Sequence, residues 1–153
     1  MRRFKIYFFL LPLFYFQIII GQNSSFSINI LGTIQDGGSP HIGCNKKCCK
    51  LLSQEEKNKR LVSSLGLVDL ENDKFFLFDA TPDIEKQIRL LNNNFKKELK
   101  LEGIFLTHAH IGHYSGLMYL GKEALGAKKV NVFAMPRMSN FLINNGPWSQ
   151  LVN

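Results

Sequence analysis

The sequence predicts an α/β fold, and three observations carry that prediction. Short apolar runs of strand character alternate with segments whose apolar residues recur at helical spacing. Two β-rich runs, Val62 to Leu70 and Lys74 to Asp79, are joined by Glu71-Asn72-Asp73 and read as a hairpin. Strand, helix and strand then follow over residues 104–134, which is a β-α-β unit. The chain has 153 residues, 45% of them hydrophobic, 20% charged and 13 of them Phe. That is enough to bury a core, and it excludes disordered, collagen-like, coiled-coil and disulfide-dense classes.

Arg2, Arg3 and Lys5 precede an apolar run over residues 6–21, broken only by Pro12 and Gln17. With Gly21 before Gln22, residues 1–21 read as a signal peptide, and the protein as exported, periplasmic or secreted. The alternative is an uncleaved anchor, although 16 residues fall short of the roughly 20 that span a bilayer. Setting aside those three charges leaves 16 basic against 12 acidic residues. The basic side chains are dispersed and mixed with Glu55, Glu56 and Glu98, so they form a solvated surface and not a nucleic-acid face.

Residues 26–153 form the expected domain. Ser27-Ile28-Asn29-Ile30-Leu31 alternates as a first strand and enters a Gly-rich loop, Gly32 to Pro40. There Gly37-Gly38 allows either a tight turn or a close backbone approach to a substrate anion. The polar segment Lys46 to Arg60 holds a short helix around Leu51-Leu52. After the hairpin, Thr81 is the expected N-cap and Pro82 the first helical residue. Ile84, Ile88 and Leu91 continue that helix until Asn92-Asn93-Asn94 ends it. Ile104-Phe105-Leu106 is a buried strand, Gly116 to Leu125 a second helix with Gly126 as its stop, and Val130 to Ala134 another strand. The chain then passes into a helix whose Phe141 and Leu142, like Trp148, read as packing residues.

The chemistry concentrates in one loop. Of four histidines, His108, His110 and His113 fall within six positions, directly after a buried strand. That is the carboxyl end, where α/β proteins place their sites. His108 and His110, two apart in extended backbone, can point the same way, and His113 can turn back from the start of a helix. Three neutral imidazoles on one loop suit Zn²⁺, with iron as the other candidate. The alternative is three surface histidines with hydrogen-bonding roles.

Thr107-His108-Ala109-His110-Ile111-Gly112-His113-Tyr114-Ser115-Gly116 resembles the metal-binding motif of the metallo-β-lactamase superfamily, His-x-His-x-Asp-His followed by Gly. The first strand, the Gly-rich loop and the hairpin ending in Asp79 are similar too. A finer resemblance, through Gln35-Asp36-Gly37-Gly38-Ser39-Pro40-His41-Ile42-Gly43-Cys44, is to the branch containing pyrroloquinoline quinone biosynthesis protein B. That branch extends to phosphonate-pathway cyclic phosphodiesterases. The resemblance implies an αβ/βα sandwich of which this chain is the N-terminal half, the remaining ligands belonging to a second half. It makes His108, His110 and His113 metal ligands. Asp79 becomes a weak ligand or an orienting carboxylate, or else the partner of the Thr81-Pro82-Asp83 turn. Gly112 stands where the motif has Asp, which implies one catalytic ion and not two.

The related branch also holds a structural zinc in a cysteine knuckle, which implies Cys44, Cys48 and Cys49 as further ligands, with His41 nearby as a fourth. Read on their own, the three cysteines equally allow a disulfide with one free thiol, or unrelated buried residues. The expected function is that of a metal-dependent hydrolase using a metal-activated water on an ester, amide or phosphoester small-molecule substrate. The alternatives are a metal-dependent, oxygenase-like role in pyrroloquinoline quinone biosynthesis, and an inactive fragment that associates with a missing C-terminal half or with its own copies.

Overall fold

The structure, a computed structural model, describes residues 25–151. The expected signal segment, residues 1–21, lies outside them. Among the described residues no helix is long and apolar enough to cross a membrane.

One five-stranded sheet carries the fold, its strands in chain order: β1 (Phe26–Gly32), β2 (Ser64–Asp69), β3 (Lys74–Phe78), β4 (Lys100–Phe105) and β5 (Asn131–Phe133). β1–β2 and β2–β3 are antiparallel, while β3–β4 and β4–β5 are parallel. The hairpin turn is closed by Asp69, whose carboxylate accepts from the Glu71 and Asn72 amides and the Asn72 side chain. The Asn72 side-chain bond, first among its partners, holds the Asp69 carboxyl below its ordinary range.

The two faces of the sheet differ. Val68, Phe75, Leu77 and Ile104 point to one side and are fully buried, each worth about 1.5–3 kcal/mol relative to exposure. They pack with Ile84 and Leu91 of the crossover helix α3 (Ile84–Phe95). Gln87, on the same helix face, is also buried. Its amide donates to the Val62 carbonyl at 2.7 Å and its carbonyl accepts from Thr81 Oγ1 at 2.8 Å, so helix, hairpin entry and turn are tied at one point. The opposite face is apolar and open. Ile28, Leu67 and Phe76 stand in register, as do Ile30, Leu65 and Phe78. Phe78, Phe105 and Phe133 stack in sequence with centroids 5.2 and 4.5 Å apart, yet Ile28 and Ile30 are 74% and 69% exposed.

Four local expectations are corrected. The segment Lys46 to Arg60 holds two short helices, α1 (Lys47–Lys50) and α2 (Gln54–Asn58), with Leu51-Leu52 in the break between them. Ser53 starts α2 with a capping box to Glu56, which separates it from α1. Helix α3 begins two residues later than Pro82, because Thr81 Oγ1 accepts from the Asp83 amide and closes a turn instead. It also runs through the three asparagines and stops at Lys96, a left-handed residue at φ 52°. Asn92 faces inward and accepts from the Leu99 amide.

The fourth correction matters most for the site. No α-helix covers residues 116–125; two 3₁₀ turns, Ile111–His113 and Ser115–Leu120, take its place. The Gly116 amide donates to the Ala80 carbonyl and the Ala80 amide to the His113 carbonyl, both at 2.9 Å. These bonds pull the chain onto the turn after β3 and away from a helical ladder. The chain then continues into α4 (Pro136–Asn144) and a 3₁₀ turn over Trp148–Leu151.

A Cβ on Gly116 would lie 2.1 Å from the Thr81 carbonyl oxygen. Gly116→Ala is therefore expected to lower stability by about 1–3 kcal/mol. Met118→Ala, at a site 42% exposed, should stay within about 0.5 kcal/mol. Urea midpoints of the two variants check this.

Candidate metal centre

Parallel pairing of β3 and β4 brings their carboxyl-terminal strand ends together. Phe78 and Phe105 are register partners, and the Asp79 amide donates to the Phe105 carbonyl at 2.8 Å. Asp79 and Thr107 therefore emerge side by side at the carboxyl edge of the sheet. Asp79 sits at φ 71°, in the left-handed region, at a cost on the order of 1 kcal/mol. That conformation turns its side chain inward, where the residue is 6% exposed.

The Asp79 carboxylate collects three donors. Thr107 gives it the backbone N–H at 2.8 Å and the hydroxyl at 2.8–3.0 Å, and His113 Nδ1 approaches Oδ2 at 2.8 Å. A carboxylate only accepts, so His113 carries a proton on Nδ1, and in the neutral ring Nε2 is the free lone pair. The Thr107 hydroxyl proton is likewise directed to Asp79. His108 Nδ1, 2.9 Å from that same Oγ1, is then the donor to it, and His108 also presents a bare Nε2. One buried carboxylate thus sets the tautomer of two imidazoles, one of them through a hydroxyl.

The structure gathers Asp79, His108 and His113, whose ligand-type atoms all lie within 4.8 Å of one another. The His108 and His113 rings are 4.1 Å apart between centroids. The donor set, two neutral imidazoles with a carboxylate behind them, fits Zn²⁺ or iron. His113 is buried and His108 exposed, so the group opens to solvent on the His108 side. His110 lies outside this group. Its ring is 4.6 Å from that of His108, and its Nδ1 is 3.3 Å from Asp36 Oδ2 in the Gly-rich loop. Asp79 does not bond the Thr81-Pro82-Asp83 turn, which Thr81 closes itself.

The cysteines divide differently from the zinc expectation. Cys44 and Cys49 are joined as a disulfide, while Cys48 is free and exposed with its Sγ 3.9 Å from that of Cys49. Two sulfurs bonded to each other are not thiolate ligands. The three sulfurs nevertheless lie within 4.8 Å of one another, so reduction would leave a compact three-thiol group. His41 is exposed, bonded through Nδ1 to the Ile42 carbonyl, and does not join them.

The profile of the Metallo-beta-lactamase superfamily matches residues 59–132, which span the hairpin, α3, Asp79 and all three clustered histidines. Over that stretch the chain is similar to that superfamily. Within it, the chain is similar to Coenzyme PQQ synthesis protein B of Rhizobium meliloti (strain 1021), 26% identical over 108 residues that cover 68% of this chain and 36% of that protein. The chain thus spans about a third of the length of this curated relative. Zinc-bound PqqB from Methylobacterium extorquens shares the fold, with a TM-score of 0.63 at 23% identity over 80% of this chain and 44% of that one. A diphosphatase from the PhnP family superposes with a TM-score of 0.55 at 27% identity, covering 77% of this chain and 45% of that one.

Reading the sequence alone gave no role to two residues that bond or pair with these histidines. Thr107 precedes the first histidine and gave no signal beyond its position. Asp36 lies 74 positions before His110, in a loop read as a tight turn or a backbone approach to a substrate anion.

Asp79→Asn tests the network. Asn tolerates the left-handed backbone but cannot accept from Thr107 and His113 as a carboxylate does. The metal-free variant is expected to lose about 1–3 kcal/mol in urea unfolding. Its zinc affinity should fall about 10–100-fold in competition titrations.

Proposed function

We propose that this chain carries the histidine-bearing part of a metal-dependent hydrolase centre, acting on an anionic ester of phosphoester type. The observation that carries the proposal is the pair of bare Nε2 atoms on His108 and His113, each fixed by hydrogen bonds that run to Asp79. These two histidines would hold the ion, with Asp79 keeping their tautomers constant through turnover. A Zn²⁺ held there acts as a Lewis acid and lowers the pKa of its water from 15.7 to about 7.

The surroundings support an anionic substrate. A polar cleft of about 260 Å³ begins at Asp36 and is lined by Lys57, Arg60 and Lys86. Arg60 is held toward it by a 2.9 Å bond to Ser39 Oγ. Lining the same cleft, with Lys86 paired to Asp83 at 3.5 Å, the guanidinium and ammonium groups suit a phosphate oxygen better than a neutral amide. The similarity to a diphosphatase supports the phosphoester over the other two substrate classes, and the similarity to a zinc-bound PqqB supports zinc. Further ligands would come from a second layer seated on the open apolar face of the sheet. A role in pyrroloquinoline quinone biosynthesis is the second reading, and the likeness to Coenzyme PQQ synthesis protein B favours it.

Zinc content and hydrolysis of a chromogenic phosphodiester by the full chain test the first reading. His108→Ala and His113→Ala are each expected to lower bound zinc at least about 10-fold. Unchanged metal content in both sinks the proposal. Arg60→Ala should raise KM for the phosphodiester several-fold and leave that for a neutral aryl ester alone. Iron content with oxygen uptake would move the assignment to the second reading.

A further inference from the structure

The polar cleft that begins at Asp36 is lined by none of the three clustered histidines. Its walls are the Gly-rich turn, Lys57 and Arg60 at and after the end of α2, and Asp83 and Lys86 around the start of α3. Asp36 is shared, since it lines the cleft and its Oδ2 lies 3.3 Å from His110 Nδ1. At about 260 Å³ the cleft is smaller than the roughly 300–1,000 Å³ that encloses a whole ligand, so it suits one group of a ligand.

The charges of this lining are not balanced from within. Asp83 accepts from the Val62 amide at 3.0 Å and pairs with Lys86 at 3.5 Å, so those two groups satisfy each other. The Asp36 carboxylate faces His110. Lys57 and Arg60 are half-buried, and among the described residues neither is paired with a carboxylate, whereas exposed Lys59 and Arg89 pair with Glu55 and Glu85. The Glu56 carboxyl is held below its ordinary range by its bond to the Ser53 amide first, and by Arg60 only after that. A half-buried cation without a counter-charge is costly, and an anion from outside relieves that cost.

The cleft offers donors as well as charge. Arg60 Nη1 donates to Ser39 Oγ at 2.9 Å, which fixes the guanidinium and leaves the Ser39 hydroxyl proton to donate in turn. A guanidinium has further N–H groups for a bidentate contact with an oxyanion. We propose that this cleft is an anion site separate from the histidine centre, and that it takes a phosphate group. The group reaches it either as a second phosphate on the substrate, distinct from the ester at the histidines, or as free phosphate. This rests on the phosphoester reading above and adds a second anionic group to it.

Calorimetric titration of inorganic phosphate into the full chain tests it, with zinc supplied and with zinc withheld. A phosphate site of the same affinity is expected in both. Arg60→Ala and Lys57→Ala should each weaken it about 10-fold or more, and His108→Ala should leave it unchanged. Phosphate that binds the parent and both cleft variants equally overturns the assignment, as does a chain that binds none. Binding that needs zinc, or that is lost in His108→Ala, puts the phosphate at the histidines; it overturns this site and leaves the proposed function standing. A chain that takes up no zinc yet binds phosphate through Arg60 sinks the proposed function and keeps the site. Two chromogenic diesters separate the sources, methyl p-nitrophenyl phosphate and its 2-phosphoethyl counterpart. A KM about 10-fold lower for the second, lost in Arg60→Ala, identifies the substrate's own phosphate. Equal KM values, with a rate that added phosphate changes in the parent but not in Arg60→Ala, identify free phosphate.

Discussion

The site depends on the hydrogen bonding of one buried carboxylate. Asp79 accepts from a backbone amide, a hydroxyl and an imidazole, and those three donors belong to the loop that carries the histidines. Remove the charge and Thr107 and His113 lose the acceptor that orients them, while His108 is affected only through the Thr107 hydroxyl. A buried carboxylate without donors would be costly, and buried donors without an acceptor equally so. Each side of the network therefore requires the other. Its position follows from the sheet, because β3 and β4 run parallel and end together.

Close backbone contacts make the second constraint. Gly116 lies against the Thr81 carbonyl and Gly112 against Asp36, each closer than any Cβ permits. These contacts press the histidine loop between the turn after β3 and the Gly-rich loop after β1. The loop cannot coil into a regular helix there, and it follows two 3₁₀ turns. The cost is a weaker local hydrogen-bond ladder. What results is the convergence of three separate chain segments on one edge of the sheet.

Much of this was legible in the residues. The strand order of the hairpin, the crossover after Thr81 and the position of the site after a buried strand follow from periodicity and from turn residues such as Asn72 and Asp73. The boundaries were less legible. Asn92-Asn93-Asn94 looks like a helix stop, yet tertiary packing of Leu91 and the Asn92–Leu99 bond carry α3 beyond it. Gly116 to Leu125 has a helical apolar pattern, and the backbone bonds to Ala80 override it. Cys44, Cys48 and Cys49 supplied a spacing but not a pairing, since three sulfurs this close satisfy a disulfide or a metal equally well in sequence terms.

The sequence by itself determined the fold class and the loop in which the chemistry lies, because hydrophobic period and a run of three histidines are local properties of the chain. The tertiary structure alone decided which histidines share a carboxylate, and that Asp36, remote in sequence, fills the space beside Gly112. Those are relations between segments brought together by strand pairing and close backbone contact, and no local pattern encodes a distance across the fold.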